Sequence, residues 1–572
     1  MKARTFWRSN PLYMRFTLLL LIFASLPVVG QSDTSAFEKL LVEYQTYERY
    51  DSTNTWGSET PAQVAEELAF MQDLQERLEE LPAIPDSIHI DRELLEFVLQ
   101  DRIYRLQFGT YHFPLNAEGG FLTDIVYRFG NRRVRSEEDL GRYLRELRSI
   151  PAHFRAQQAA MTGGLGVQRT NPRLVVDRVL ALIDRTLDPE SGRTLFLQPV
   201  ADYNAGVNSV NAVLQDSILP AYQSLRDFLT DKYLPQLPEG PGIATIEGGK
   251  EYYRHLIRYF TTTDEMTPEE VFETGMREVE RIRAEMLEVM RSTGYEDDFA
   301  AFLQYLRTDA RFYAETPAEL LERAAWITKR MEGKLPEYFT QLPRMPLTVS
   351  PVPAALAPNY TGGRYSPGSY RGRRAGAFWV NTYDLPSRPF YTLPALALHE
   401  GVPGHHTQMM LAAEQEGQSN FRRGLYLSSF GEGWALYCEY LGKEAGMYED
   451  AYEDFGRLTY EMWRACRLVV DPGIHYMGWS RDRAVQFMAE NTALSIREVN
   501  SEIDRYIGWP GQAVSYKMGE LTIRRLRREA EAALGDKFDL AEFHSLVLAN
   551  GSVTMSLLER IVRQYISERS GD

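Results

Sequence analysis

Apolar residues recur at three- and four-residue spacing from about residue 36 to residue 340, and this helical period constrains the fold most strongly. The stretches AEELAFMQDLQERLEEL and VFETGMREVERIRAEMLEVM show it clearly. One face of each such helix is apolar and has to pack against a neighbour. The pattern resumes after residue 392 and continues to the end of the chain. The sequence therefore predicts a mainly α protein, and 572 residues are enough to enclose a deep site.

Three predicted helix starts share one signature, a Thr followed by Pro and, three residues after the Thr, by Gln or Glu. Thr can cap the helix, Pro fits its first turn, and the Gln or Glu side chain can bond back to a free backbone N–H. The three starts are Thr60-Pro61-Ala62-Gln63, Thr267-Pro268-Glu269-Glu270 and Thr316-Pro317-Ala318-Glu319.

Between about residues 344 and 391 the helical period gives way to Pro, Gly, Tyr and β-branched residues. The segment AFWVNTY is the best strand candidate in the chain, and it lies just before the helix that carries a histidine cluster. We therefore divide the chain into a leader over 1–30, a helical region over 31–343, a strand and loop insert over 344–391 and a second helical region over 392–572. The last three are expected to form one continuous unit.

The first 30 residues have the pattern of a secretory signal peptide. Four basic residues precede an uncharged apolar run from Phe16 to Val29, and Gly30 offers a cleavage point. The alternative is an uncleaved membrane anchor, but the run has about 14 residues and a spanning helix needs roughly 20. We expect export with cleavage, to the periplasm or the extracellular medium, and no stable membrane anchor. No Cys follows the run, which argues against a lipid anchor.

Loss of this leader removes four basic and no acidic residues and takes the formal net charge from −16 to −20. Nucleic acids and anionic membranes both favour clustered Lys and Arg, so an acidic chain argues against either as a partner. Cys438 and Cys466 are the only cysteines, so one disulfide at most can form, and a metal would be bound by His and carboxylates. The pairing of the cysteines and the oligomeric state stay open.

Three of the nine histidines, His399, His405 and His406, fall within eight residues beside Glu400. The segment LPALALHEGVPGHHTQMML places His399 and Glu400 at the end of an apolar helical run. In the zinc-binding motif H-E-x-x-H, two histidines share one helix face and the Glu is the general base. Here the next histidine is six residues on, about 9 Å farther along an undistorted helix.

Pro403 and Gly404 supply the break that this spacing needs. Pro403 cannot donate to the His399 carbonyl, and Gly404 tolerates unusual backbone angles, so we expect a kink or bulge between them. Such a break can bring a later histidine back toward His399. We favour His405 over His406 as the second metal ligand.

Glu432, in the segment FGEGWALYCEYL, is the predicted third ligand. It lies 27 residues after His405, which allows one helix, a turn and the start of an antiparallel helix across the metal. Glu439, seven residues later, is placed to orient a ligand histidine. Each of these residues alone is more often structural, but their combination favours a zinc site with one position left for water.

At these residues the chain resembles a family of bacterial peptidase-like proteins, domain of unknown function 885. The segments that carry the resemblance are NTYDLPSRPFYTLPALALHEGVPGHHTQ, GEGWALYCE, RLVVDPGIHYMGW and RYIGWPGQAVSYKMGE. That family is distantly similar to helical zinc peptidases such as angiotensin-converting enzyme and thermostable carboxypeptidase. The resemblance implies a two-lobed, zincin-like helical fold with a deep cleft, although the two extra residues between the histidines depart from the H-E-x-x-H motif.

The resemblance also implies a zinc metallopeptidase, of the carboxypeptidase or oligopeptidase type, that acts on short or unfolded peptides with Glu400 as general base. Such enzymes use a His and a Tyr from the C-terminal lobe to stabilise the oxyanion. His475, which follows a DPG turn, and Tyr516 are the candidates, with Tyr506 as substitute. Two alternatives stay open: a zinc hydrolase acting on a non-peptide amide or ester, and a non-catalytic exported zinc protein.

Substrate contacts are harder to place from the sequence. The strand around Trp379 to Tyr383 is expected to pair with substrate backbone by strand addition. Lys517, Arg373 and Arg374 are cations that a substrate carboxylate would need, although solvation at the surface is the more common role of such residues.

Overall fold

Helices form most of the chain, as the helical period predicts. The computed structural model describes residues 31–571 apart from residues 55, 57–59, 83–85, 118, 131, 190–191, 264–265, 297, 355–356 and 358–359. The predicted leader, residues 1–30, lies outside the described residues. In the described part of the chain, no helix combines the length and apolar character needed to cross a membrane.

The helices divide into those before and those after a small sheet. Those before it are α1 (Gln31–Asn54), α2 (Pro61–Glu79), α3 (Asp86–Phe108), α4 (Phe121–Gly130), α5 (Glu137–Gly166), α6 (Arg173–Leu187), α7 (Thr194–Leu197), α8 (Asn204–Val213), α9 (Leu219–Asp227), α10 (Gly249–Thr261), α11 (Pro268–Ser292), α12 (Phe299–Thr308) and α13 (Pro317–Tyr338). Those after it are α14 (Leu393–Glu400), α15 (His405–Glu414), α16 (Asn420–Gly424), α17 (Ser428–Glu444), α18 (Ala451–His475), α19 (Arg481–Asn491), α20 (Ile496–Gly508), α21 (Ser515–Leu534), α22 (Leu540–Leu548) and α23 (Met555–Ser570).

The predicted helix starts are present at α2, α11 and α13. Thr60 and Thr267 each form a complete capping box with the residue three positions on. Thr316 accepts the N–H of Glu319, but the Glu319 carboxylate accepts the N–H of Glu315 at 2.8 Å. In the third cap, the Glu319 side chain therefore bonds to the residue before the capping Thr and not to the Thr itself.

The sheet lies within the predicted insert and has the strand order β1-β3-β2. Its strands are β1 (Leu347–Pro351), β2 (Gly363–Ser366) and β3 (Gly376–Val380), with β1 parallel and β2 antiparallel to β3. The predicted strand AFWVNTY thus supplies β3, and the strand ends at Val380. Because β3 is paired on both edges, the expectation that Trp379 to Tyr383 would bind substrate by strand addition is wrong.

One hydrophobic cluster connects helices from both ends of the chain, with members from Phe37 to Val562. Its central helix is α18, which is buried on all sides. The turn expected before His475 is absent, because Asp471-Pro472-Gly473 lies inside α18 and is buried with it. Packing around the whole helix outweighs the local tendency of Pro-Gly to end it.

Two glycines set the close contact between α17 and α21. A Cβ on Gly433 would lie 2.6 Å from Gly519, and one on Gly519 would lie 1.9 Å from the carbonyl oxygen of Ser429. The two helix backbones therefore touch where no side chain fits between them. This contact fixes the position of the first turns of α17, which carry Glu432.

Candidate metal centre

The helix is interrupted between α14 and α15, where Pro403 and Gly404 predict a kink or bulge. Helix α14 ends at Glu400 and α15 begins at His405, with a cis peptide bond between Val402 and Pro403. A Cβ on Gly404 would lie 2.0 Å from the carbonyl oxygen of His399, so only glycine fits there. Residues 401–404 are not helical. His405 therefore does not lie about 9 Å farther along the same helix axis than His399, as it would in an unbroken helix.

The break brings His399 and His405 together with Glu432 from α17. His399 Nε2 lies 3.4 Å from Glu432 Oε2, and His405 Nε2 lies 3.3 Å from the same oxygen. One ligand atom from each of the three residues lies within 4.8 Å of the other two. The two imidazole rings are perpendicular, with centroids 4.9 Å apart. The three residues, hereafter the metal triad, converge on one point.

Glu439 holds the first histidine of the metal triad from behind. Its Oε1 accepts the Nδ1–H of His399 at 2.7 Å, and Arg464 Nη2 lies 3.3 Å from the same oxygen. The Glu439 backbone carbonyl accepts the hydroxyl of Tyr448 at 2.6 Å. Because Nδ1 carries this bond, Nε2 is the ring atom that faces the triad.

The histidines and the carboxylate of the triad shift one another's pKa values. Burial lowers the pKa of His399, but its hydrogen bonds to Glu432 and Glu439 outweigh burial and raise that pKa to about 9. Burial acts to raise the pKa of Glu432, yet the two imidazoles hold it well below its ordinary value. The pocket thus favours positive charge beside a carboxylate, and a divalent cation there would replace the histidine proton.

Glu400 lies directly after His399 and is buried. Its Oε2 accepts the backbone N–H of Tyr365 in β2 at 2.7 Å. That bond fixes one carboxylate oxygen and leaves Oε1 as the oxygen that can accept a proton. The bond also places the small sheet against the C-terminal end of α14.

His406 is placed away from the triad and joins α15 to the sheet. Its Nδ1 pairs with the hydroxyl of Tyr365 at 3.0 Å, and its Nε2 with the carbonyl of Met345 at 3.0 Å. A Cβ on Gly376 would lie 2.6 Å from that hydroxyl, so this strand position requires glycine. Both nitrogens of His406 are used, and His405 is the histidine that faces the triad.

Two tyrosines border the triad. The ring of Tyr516 lies nearly parallel to that of His399, with centroids 6.3 Å apart. Tyr426 was not predicted from the sequence, and its hydroxyl donates to Glu432 Oε1 at 3.1 Å. A Cβ on Gly431 would lie 2.4 Å from the Tyr426 ring, so this glycine allows the ring to lie over α17. A Tyr six residues before a ligand Glu is too weak a pattern to predict a site residue from the sequence.

The structure does not support His475 or Tyr506 as oxyanion donors. His475 Nδ1 accepts the backbone N–H of Ile243 at 3.0 Å, and its Nε2 donates to the carbonyl of Tyr506 at 2.9 Å. Burial lowers the pKa of His475 to about 4, so the ring is neutral. The Tyr506 hydroxyl accepts from Arg467 and Trp463 and is fully buried. Both side chains are satisfied in the core.

The cations proposed for a substrate carboxylate are also placed differently. Lys517 is fully buried, and its ammonium group lies 2.9 Å from Glu461, 2.9 Å from Glu520 and 3.2 Å from Glu278. It is neither solvated nor available to a ligand. Arg373 and Arg374 are exposed, in agreement with their more common role.

The cysteines form no disulfide. Cys438 and Cys466 are both free and buried. Burial raises the pKa of each thiol, so neither is a reactive thiolate.

The donor set of the triad fits zinc. Two imidazole nitrogens and one carboxylate form a three-ligand set of the kind found in catalytic zinc sites, which leave a fourth position for water. The hydrogen bond from His399 to Glu439 is the outer support that ligand histidines usually have. The residues present therefore match this metal in type, number and support.

Comparison with known proteins identifies a family and two similar solved structures whose descriptions state no activity. The family described as "Bacterial protein of unknown function (DUF885)" matches residues 43–562. Among curated proteins there is no match. The solved structure of the putative lipoprotein from Colwellia psychrerythraea is similar, with 26% identity, a TM-score of 0.85, and coverage of 95% of this chain and 100% of that one.

A second solved structure, of a putative lipoprotein of unknown function from Shewanella oneidensis, shares the fold. Its identity is 17% and its TM-score 0.67, with coverage of 93% of this chain and 99% of that one. The fold therefore occurs over the full length of both solved chains.

Proposed function

The chain belongs to the bacterial family of unknown function DUF885, and from the geometry of its site we propose that it is an exported zinc-dependent peptidase of short or unfolded peptides. The observation that carries this proposal is the convergence of the metal triad, with one ligand atom each from His399, His405 and Glu432 within 4.8 Å of one another. Glu400 lies beside the triad, where hydrolysis needs a base.

A catalytic zinc is favoured over a structural one by the number of ligands and by the neighbouring carboxylate. Structural zinc sites are closed by four protein ligands, whereas catalytic sites keep one position open. His406, the residue that would most easily supply a fourth ligand, has both nitrogens bonded elsewhere. A structural site also has no use for a buried carboxylate such as Glu400.

The proposed mechanism assigns proton transfer to Glu400. Zinc held by the triad would supply the positive charge that acidifies a water molecule and polarises a peptide carbonyl. Glu400 Oε1 accepts the proton of the attacking water and returns it to the leaving amine, while the Tyr365 N–H holds the other oxygen in place. Glu439 keeps His399 oriented through the cycle.

Tyr516 and Tyr426 are the proposed oxyanion donors, because both border the triad. Removing one such donor typically lowers the rate about 10²- to 10³-fold. We expect a loss of this size in Tyr516→Phe or Tyr426→Phe with zinc binding retained. A variant with unchanged turnover is removed from the mechanism.

Export is supported by the sequence before residue 31 and by the similar solved proteins. The basic start and short apolar run of residues 1–30 have the form of a signal peptide. Both similar structures are named putative lipoproteins, which is consistent with an exported protein. We propose a periplasmic or extracellular location for this chain.

The test combines metal analysis with a substrate panel. The purified mature chain is assayed for zinc and incubated with a mixed peptide library and with small esters, and products are read by mass. We expect Glu400→Gln to fold and bind zinc but to lose hydrolysis, because the base is removed and the ligands are not. Glu416→Gln, an exposed carboxylate with the same change, is the control and should stay fully active. Full activity in Glu400→Gln would refute the assigned base.

A further inference from the structure

A group of polar residues connects α20 to Tyr516, the proposed oxyanion donor. Glu502, in the middle of α20, is buried, and two arginine side chains bond to it. Its Oε2 accepts from Arg467 Nη2 at 3.1 Å and from Arg505 Nη2 at 3.0 Å. Each arginine continues to Tyr516 through a different contact, Arg505 by way of Gln512. Glu502, Arg467, Arg505 and Gln512 are hereafter the Tyr516 support.

Arg467 lies against the face of the Tyr516 ring. Its guanidinium carbon lies 4.1 Å from the centroid of that ring and 4.3 Å from that of Trp463. A desolvated guanidinium is attracted to an aromatic face at this distance. Arg467 is itself fixed, because its Nε donates to the Tyr506 hydroxyl at 2.7 Å and its Nη2 bonds to Glu502. The Tyr516 ring therefore packs on a rigid, charged surface.

The third nitrogen of Arg467 makes no ion pair. Arg467 Nη1 is buried and has no hydrogen-bond partner among the described residues. A buried N–H without an oxygen acceptor is costly, and an aromatic face is the weaker acceptor that remains for it. The guanidinium of Arg467 thus serves the rings that it touches as well as Glu502.

Gln512 reaches the hydroxyl group of Tyr516. Burial raises the pKa of Tyr516, and a hydrogen bond with the Gln512 side chain acts to lower it. A hydrogen bond lowers the pKa of a phenol when the phenol oxygen accepts it, so the Gln512 amide is the donor. Arg505 sets this orientation, because its Nη1 donates to Gln512 Oε1 at 2.8 Å and leaves the amide nitrogen to bond to Tyr516. The hydroxyl hydrogen of Tyr516 is then available to a ligand.

Tyr516 links the Tyr516 support to the metal triad. Its ring is nearly parallel to that of His399, with 6.3 Å between the centroids. Tyr516 is half-buried, whereas Arg467 and Gln512 are buried. A group that donates to an oxyanion has to be held in place, because a displacement of about 1 Å can lower a rate about 10²-fold.

We propose that Arg467 and Gln512 are positioning residues: Arg467 holds the Tyr516 ring beside the metal triad, and Gln512 directs its hydroxyl hydrogen toward the oxyanion. This inference rests on the proposed peptidase function. It gives a role to the segment RYIGWPGQAVSYKMGE, which carries Gln512 and Tyr516. It also gives a role to Tyr506, whose hydroxyl anchors Arg467.

Double variants test the coupling, with a peptide that the unaltered zinc-loaded chain cleaves. Arg467→Met and Gln512→Met should each lower kcat about tenfold or more, with KM and zinc affinity unchanged. Added to Tyr516→Phe, neither should lower kcat by more than about twofold further, because the donor that they position is already absent. Unchanged kcat in both single variants, or losses that multiply in both double variants, would overturn the inference.

Arg105→Met is the matched control. Arg105 bonds to Asp101 at 2.7 Å and to the Tyr252 hydroxyl at 3.2 Å. Its guanidinium carbon lies 4.9 Å from the centroid of the Tyr259 ring. Arg105 thus has the same three kinds of partner as Arg467, and none of them belongs to the metal triad or the Tyr516 support. Arg105→Met should keep its kcat, and a loss equal to that of Arg467→Met would overturn the inference.

A measurement on the ring separates this inference from the function on which it rests. 3-Fluorotyrosine replaces Tyr516 alone, and its fluorine NMR line is recorded in the zinc-free chain. A ring that Arg467 holds gives a broad line set by tumbling of the whole protein, and Arg467→Met should narrow that line while Arg105→Met should not. Arg467→Lys, which keeps the charge and loses the planar group, replaces Arg467→Met if the latter does not fold.

The line width decides the inference even without turnover. An equal line width in the unaltered chain and the Arg467 variant would overturn it. If the zinc-loaded chain cleaves no peptide, the proposed function fails, while the line width still shows whether Arg467 holds the Tyr516 ring.

Discussion

The carboxylate behind His399 offers the sharpest single perturbation, Glu439→Gln. Glu439 Oε1 accepts the His399 Nδ1–H at 2.7 Å, and both side chains are buried. Gln has nearly the same shape and its carbonyl oxygen can accept the same proton, so the ring keeps its orientation while the negative charge is lost. A hydrogen bond to a charged group contributes about 1.5–3 kcal/mol, and about 1.4 kcal/mol is a tenfold change in affinity. We expect zinc to bind Glu439→Gln about 10- to 100-fold more weakly.

The same substitution should also lower the stability of the metal-free fold. Arg464 would lose the carboxylate that lies 3.3 Å from its Nη2, and a buried charge left without its partner typically costs about 3–5 kcal/mol. Asp91→Asn is the matched control, because Asp91 and Arg422 form another buried pair at 2.7 Å that involves no triad residue. Asp91→Asn should lower the free energy of unfolding and leave zinc affinity unchanged.

The assay is competition for zinc against a chromophoric chelator at neutral pH, with chemical denaturation of the metal-free chains measured in parallel. The expected pattern is a loss of affinity in Glu439→Gln alone and a loss of stability in both variants. If Glu439→Gln binds zinc as tightly as the unaltered chain, or if Asp91→Asn weakens zinc binding equally, the assigned role of Glu439 is wrong.

Three other predictions concern the ligands, the helix contact and pH. His405→Ala should lose zinc. His406→Ala should keep zinc, but its free energy of unfolding should fall by about 1–3 kcal/mol because buried hydrogen bonds are broken. If metal analysis shows zinc lost in His406→Ala and kept in His405→Ala, the roles of the two histidines are exchanged. Gly519→Ala should displace α17, lowering both zinc affinity and the free energy of unfolding, the latter by about 1–3 kcal/mol or more; unchanged values in both assays would contradict the close contact. Burial lowers the pKa of His475 to about 4 and that of His544 to about 3, below the ordinary 6.5, so the unfolded chain binds more protons as pH falls. These two histidines should each lower the free energy of unfolding by about 1.4 kcal/mol per pH unit from about pH 6.5 down to about pH 4. The raised pKa of His399 acts in the opposite sense, because its contribution is lost between about pH 6.5 and pH 9 in the metal-free chain, so stability should be greatest near pH 6.5. Denaturation curves that coincide at pH 7 and pH 5 would exclude the effect of His475 and His544.

Local chemistry made much of the fold predictable. The prediction that Thr60 and Thr267 cap helices was correct, because a cap depends only on neighbouring residues in the sequence. The prediction of a strand before α14 was correct, because its β-branched and aromatic residues lie between turn residues. The expectation of a turn at Asp471-Pro472-Gly473 was wrong because burial of α18 is a tertiary effect that no local pattern reveals.

The candidate site was likewise predictable only where local sequence determines it. The break at Pro403 and Gly404 follows from backbone chemistry, and the structure brings His399, His405 and Glu432 together as that break requires. The position of Tyr426 does not follow, since its ring reaches Glu432 only because α17 has a glycine beneath it.

Residues distant in the sequence were the least predictable. Lys517 reads as a surface cation in an amphipathic helix, and only the assembled core shows its three carboxylate partners. His475 likewise satisfies both ring nitrogens with backbone groups of Ile243 and Tyr506, which lie 232 and 31 residues away in the chain. Such partners are set by packing, so sequence spacing alone could not exclude a catalytic role.

A zinc-soaked crystal measured at the zinc absorption edge tests the central claim most directly. The account predicts one anomalous peak, at about 2.0–2.2 Å from His399 Nε2, from His405 Nε2 and from a Glu432 oxygen. No fourth protein ligand should be bound. A crystal with no peak at the triad, or with the zinc closed by a fourth side chain, would contradict it.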